Sequence, residues 1–144
     1  MKIKELQQNV ADALNDVEEL VQGGCKAFAE DTRTVYNEAD PWVSSGKVAV
    51  VVVTPDMQRN GSPIDVDGSP AIPAETQLLV QCSEKPAVAR TQPGVLTALD
   101  AAEIVMHSLD GDQLCWLSTR QTFDRQSGVL TATATFATTI TLKP

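Results

Sequence analysis

The segment Val129–Leu142 constrains the fold more than any other part of the chain. It carries no charged residue and is rich in β-branched side chains. It alternates strictly, with Leu130, Ala132, Ala134, Phe136, Thr138, Ile140 and Leu142 on one side and Val129, Thr131, Thr133, Thr135, Ala137, Thr139 and Thr141 on the other. A period of two sustained this long is the pattern of a single long β-strand. An uncharged strand with a bare edge templates aggregation, so something must pair with it. Either it lies inside its own sheet, or a neighbouring subunit adds to its edge.

The rest of the chain supplies partners for such a strand. Leu6, Val10, Leu14, Val17 and Val21 are spaced four, four, three and four apart, which predicts one amphipathic helix over residues 2–21, stopped at Gly23-Gly24. A short strand fits residues 26–30, and Asn37–Pro41 reads as a turn. Val48–Val53 is a continuous β-branched run, as in a central strand covered on both faces. Thr54–Thr76 is irregular, with four of the eight prolines and the turn dipeptides Asn60-Gly61 and Asp67-Gly68. Pro63, Pro70 and Pro73 cannot donate to a ladder, which predicts an edge or an excursion here, with hairpin arms at 64–66 and 71–72. Gln77–Cys82 returns as a buried strand. Residues 86–93 form a connection, and a second helix over 95–109 carries Val95, Leu99, Ala102, Met106 and Leu109 on one face. A strand over 114–123 and a turn at 124–128 lead into the terminal strand. The order predicts a single domain over residues 1–144 of α+β class. Its two layers are a mixed, mainly antiparallel sheet and two helices packed on one face.

Charge and composition narrow the function. With 11 Lys plus Arg against 19 Asp plus Glu, the net charge of -8 repels phosphate backbones and anionic lipid, and six aromatics leave little for base stacking. Nucleic acid and membrane surfaces are therefore not expected as partners. The N-terminal residues lack the apolar run of about 7–15 residues a secretory signal needs, and residues 48–53 fall far short of the roughly 20 needed to span a bilayer, so a cytoplasmic site of synthesis is expected. Cys25, Cys82 and Cys115 form no C-x-x-C pair and read as reduced, small apolar residues.

No constellation announces a chemistry. His107 is the single histidine, too few for a metal cluster, and its pairing with Cys115 as base and nucleophile would need a third, orienting group. Ser108 and Ser118 lack the G-x-S-x-G context of a serine hydrolase. Gln22–Cys25 follows a helix instead of opening one, unlike a phosphate-binding loop. Asp65–Gly68 and Asp110–Asp112 resemble pieces of a calcium loop but read as turns, without the remaining ligands. No cofactor, metal or catalytic residue is expected. Arg59, Arg90, Arg120 and Arg125 fall in or near loops, either as solvated charge or as contacts to acidic patches on neighbouring copies. Trp42 is either a core plug or an interface anchor.

The helix KIKELQQNVADALNDVEELV, the strand VAVVVV with its Pro- and Gly-rich excursion, the strand QLLVQC, the helix VLTALDAAEIVMHSL and the late strands LCWLSTRQTF and VLTATATFATTITL together resemble the small tail-terminator or tail-completion proteins of tailed bacteriophages. The resemblance is one of pattern and size over nearly the whole chain. It implies a non-enzymatic virion protein in the tail or neck, made in the host cytoplasm. Such a protein assembles as a ring of its own copies, a hexamer, between the tail tube protein and the head-tail connector. It also implies ring-to-tube contacts in residues 54–76 and 85–93, and subunit contacts along the edge near Val129–Leu142, with Phe136, Thr138 and Ile140 as interaction candidates beside Trp42 and the arginines. The nearest alternative is another ring-forming connector or head-completion protein. An alternative of a different class is a small enzyme or ligand-binding domain with a pocket under the 54–76 loop. The charge is uneven, with nine acids against four bases in residues 1–40 and only Lys143 after residue 128. An acidic helical layer beside a neutral sheet is expected, with the sheet making the subunit contacts.

Overall fold

The computed structural model describes residues 2–30, 38–54, 57–59, 64–66 and 68–142. The elements in chain order are α1 (Ile3–Asn15), α2 (Glu18–Gln22), β1 (Cys25–Ala29), α3 (Asp40–Ser44), β2 (Val48–Val53), β3 (Met57–Arg59), β4 (Ile64–Val66), β5 (Ser69–Glu84), α4 (Pro86–Ala89), α5 (Ala98–Leu109), β6 (Cys115–Asp124) and β7 (Val129–Leu142). The fold is α+β, as the alternation of helical and strand patterns predicts.

The sheet runs β1-β2-β5-β7-β6, with β3 and β4 also paired to β5. Among the described residues, β1 and β2 form the one parallel pair, and the other pairs are antiparallel. The terminal strand lies inside this sheet. Along one flank β7 pairs with β5 from Ile72↔Leu142 to Glu84↔Leu130, and along the other with β6 from Cys115↔Ala137 to Asp124↔Val129. Ala132, Ala134 and Phe136 are fully buried, packed with Leu78, Val80 and Cys82 of β5 and Val48, Val50 and Val52 of β2. Leu6, Val10, Ala11 and Leu14 of α1 and Ala98, Ala101, Ala102 and Val105 of α5 join the same cluster. A second, smaller cluster of Phe28, Ala39, Val43 and Ala49 draws on α3 and on the alternate residues of β1 and β2. Both faces of β2 are therefore covered, which is why its sequence shows no alternation.

Four local expectations shift. The helix expected over 2–21 breaks at Asp16 and Val17, where Val17 is extended (φ -78°, ψ 110°) and both N–H groups bond three residues back. The break turns Leu20 into the core and leaves Val21 exposed. The second helix starts at Ala98, not Val95, because the Thr97 hydroxyl accepts from the Asp100 N–H at 3.0 Å and sets the cap there. α3 forms where only a turn was read, with Pro41 in its first turn. Finally, Pro70 and Pro73 do not end a strand: β5 runs through both for 16 residues. Pro73 sits between the stretches paired to β3 (Ala74–Thr76) and β4 (Ser69–Ala71), where that flank has no partner, while Pro70 is paired with Asp65 of the short β4.

Candidate interaction surface

The two outer strands are finished differently. β1 ends the sheet on one side, and the Asn15 side chain, at the end of α1, engages its middle residue, Ala27. Its amide accepts from the Ala27 N–H at 2.8 Å and donates to the Ala27 carbonyl at 2.9 Å, as a paired strand would. β6 ends the sheet on the other side for 10 residues, and no described residue pairs with its outer flank.

Alternation through the β6–β7 register sorts the β6 side chains. Trp116, Thr119, Gln121 and Phe123 face Phe136, Ala134, Ala132 and Leu130, on the helix side. Ser118, Arg120, Thr122 and Asp124 face Thr135, Thr133, Thr131 and Val129, on the open side. α5 packs over β5 and β7 and touches β6 only near its start, so Trp116 is 38% exposed and Phe123 55%, while Leu117, in the bulge between Trp116 and Ser118, is 50% exposed. The start of the strand is fastened to α5. The Trp116 N–H donates to Asp110 Oδ1 at 2.9 Å, its indole N–H to Thr119 Oγ1 at 3.0 Å, and the Thr119 hydroxyl to Met106 Sδ at 3.0 Å. A free edge beside exposed aromatic side chains, fastened to α5 at one end, is the candidate interaction surface.

The open face of β5 and β7 is mostly polar, lined by Thr131, Thr133, Thr135, Gln81 and Ser83, with Leu79 among them and Glu75 at its far end, and Ser83 and Thr131 are bonded through their hydroxyls at 2.9 Å. Trp42 covers the β1–β2 end of this face. It is half-buried, its indole N–H donates to the Val48 carbonyl at 2.9 Å, and the Lys26 and Lys47 ammoniums lie 5.8 and 4.4 Å from its ring centroid. It is a plug of the second cluster, flanked by two cations.

The other residues expected at interfaces separate sharply. Arg120 is exposed in β6. Arg90 holds the α4–α5 connection, donating to the Leu96 carbonyl at 2.8 Å and lying 3.6 Å from Glu84. Glu84 is 1% exposed, and its carboxylate accepts from the Ala98 N–H at the start of α5, where the helix dipole favours an anion. The backbone of Arg59 lies in β3, and its side chain falls outside the described residues. Phe136 lines no exposed surface, and Thr138 and Ile140 reach only the wall of a cavity beside α1. The alternation that made them conspicuous turns them toward the helices, and all three are buried. Trp116, Phe123 and Asn15, which decide how the edges behave, were not singled out from sequence. An aromatic at each end of a ten-residue strand was the available signal for the first two.

A cavity of about 720 Å³ lies between α1, the turn after α5 and the end of β7, lined by Leu6, Val10, Leu109, Asp112, Leu114 and Ile140. The end of the 54–76 stretch reaches it through Glu75. Asp65 and Asp67 have side chains outside the described residues, and the described carboxylates, thiols and imidazole form no metal-holding group of three. His107 is exposed on α5, Cys115 donates weakly to the Trp116 carbonyl, and Ser108 donates to Ile104 at 2.7 Å. Burial pushes the Cys25 thiol up to about 12, with the Glu84 carboxylate adding to the effect. Burial likewise raises Cys82. Neither is a nucleophile at neutral pH.

No family model matches the chain, and no curated protein matches it.

Proposed function

We propose that the chain is a non-enzymatic structural protein of a phage virion, a tail terminator or tail-completion protein. It would form a homo-oligomeric ring, a hexamer, on the last ring of the tail tube and present its other side to the head connector. The observation that carries this reading is the unequal finish of the sheet: the middle residue of β1 is capped by Asn15, whereas no described residue pairs with the outer flank of β6, beside exposed Trp116 and Phe123. A protein that guards one edge and not the other has a use for the second, and the cheapest way to satisfy its free N–H and C=O groups is another chain.

On this reading the tube is met by residues 54–76 and by the 85–93 connection, which Glu84 and Arg90 hold against the start of α5. Growth stops because the side that matches the tube differs from the side turned to the connector. The chain would act in the tail or neck of the particle after synthesis in the host cytoplasm. A ring-forming connector or head-completion protein would use the same edge with a different partner.

The test is light scattering and negative-stain microscopy of the purified chain with and without tube protein. Six-membered rings seated on tube ends are expected. A chain that never binds tube rings overturns the reading, and binding to a connector ring alone assigns it to the alternative.

A further inference from the structure

The free edge of β6 is self-complementary, and we propose that it pairs with β6 of a second copy as an antiparallel, two-fold contact that occupies the edge before any larger assembly forms. In such a contact facing residues share a side of the joined sheet, so the dyad must pass through a residue position. A dyad at Arg120 sets that guanidinium against itself, and one at Asp124 opposes two carboxylates. A dyad at Thr122 instead places Arg120 directly opposite Asp124 of the second copy, twice, on the open side. Opposite charges facing across strands stabilise a pair, and like charges oppose it. Among the described residues Arg120 has no ion-pair partner, so its charge is available.

The same register joins the apolar side chains. On the helix side Phe123 faces Gln121 of the second copy, and the two Phe123 rings lie diagonally across the dyad, within reach of each other. Leu99 belongs to the same end of the sheet: Phe123 pairs with Leu130, Leu130 with Glu84, and Glu84 binds the start of α5, where Leu99 is 41% exposed. Two copies thus cover Phe123 from both sides while their edges are satisfied. Each chain in the pair has no β6 edge left for a third, so association stops at two until a competitor takes the edge. The pairing uses the edge on which the proposed function rests, but it needs no tube protein and stands or falls without it.

The experiment takes the full chain alone. Light scattering across a concentration series is expected to give a monomer–dimer equilibrium. Arg120→Asp and Asp124→Arg are each expected to weaken it roughly tenfold, and the double exchange to restore it, because each facing pair is reversed as a unit. In a Cys115→Ser background, Thr122→Cys is expected to give a disulfide-linked dimer on oxidation, whereas Thr119→Cys is not. All these positions but the half-buried Thr119 are exposed, and circular dichroism confirms that each variant folds. A strictly monomeric chain, a dimer indifferent to the charge reversals, or a dimer that Thr122→Cys fails to link each overturns the proposal.

Discussion

Asn15 and Ala27 form a two-bond clasp: the side-chain amide of one engages both main-chain groups of the other, at 2.8 and 2.9 Å. Only a side chain carrying both a donor and an acceptor can do this. Asn15→Ala should cost about 1–3 kcal/mol, two partly buried hydrogen bonds, read from the denaturant midpoint. Asn15→Asp should cost at least as much, because its carboxylate faces the Ala27 carbonyl without a donor. An unchanged midpoint in both would mean that solvent replaces the clasp freely.

Glu84 anchors the start of α5 from the end of β5. Removing the carboxylate in Glu84→Ala leaves the Ala98 N–H without its acceptor, a loss of about 1.5–3 kcal/mol for a hydrogen bond to a charged group. Glu84→Gln keeps an acceptor and should lose less. Arg90 is 42% exposed, so Arg90→Ala should cost no more than about 1 kcal/mol. Urea unfolding of the three variants should rank them in that order.

The thiols should react in two classes. At pH 8 a thiol reagent should titrate exposed Cys115 at once, and Cys25 and Cys82 only on unfolding. The pH dependence follows from the upward shift. The folded protein holds the Cys25 proton more tightly than the unfolded chain, so the associated stability is intact below the ordinary value of 9.0 and is lost as pH rises toward about 12. Melting curves should therefore decline across that alkaline window in the wild type and less steeply in Cys25→Ala. Equal slopes would remove the thiol from the account.

Phe136 and Trp42 separate folding from assembly. Phe136→Ala should cost about 3–5 kcal/mol, as for a large buried aromatic, and should lower self-association only as far as it unfolds the chain. Trp42→Ala should destabilise the β1–β2 end, freeing Lys26 and Lys47, without altering the association constant of the folded protein. A folded Trp42→Ala variant that no longer self-associates would move the interface to the opposite edge.

Much of this architecture is legible in the sequence because burial writes a period. The alternation of Val129–Leu142, the continuous run of Val48–Val53 and the spacing of Leu6, Val10 and Leu14 each report the faces they cover. What is not legible is set by single polar atoms or by tertiary partners. The break after Asn15 keeps the helical spacing of Val17 and Val21 while redirecting the chain, and β5 passes through Pro73 only because β3 and β4 stop on either side of it. The interaction surface was least legible of all. β7 drew attention for lacking charge, but that is the mark of an interior strand, whereas the open edge belongs to β6, whose mixed polar sequence looks unremarkable until its neighbours are known.

The position of β7 also dictates the order in which the molecule can be completed. It lies between β5 and β6, yet follows both along the chain, and its ladder to β5 joins residues as far apart as Ile72 and Leu142. Until it arrives, the β1-β2-β5 half has a bare flank and β6 has no sheet to join. Contacts this far apart in sequence form more slowly than local helices, so the pairing of this strand with β5 is expected late in folding. During synthesis the earlier segments must wait, exposed, for the strand that locks them.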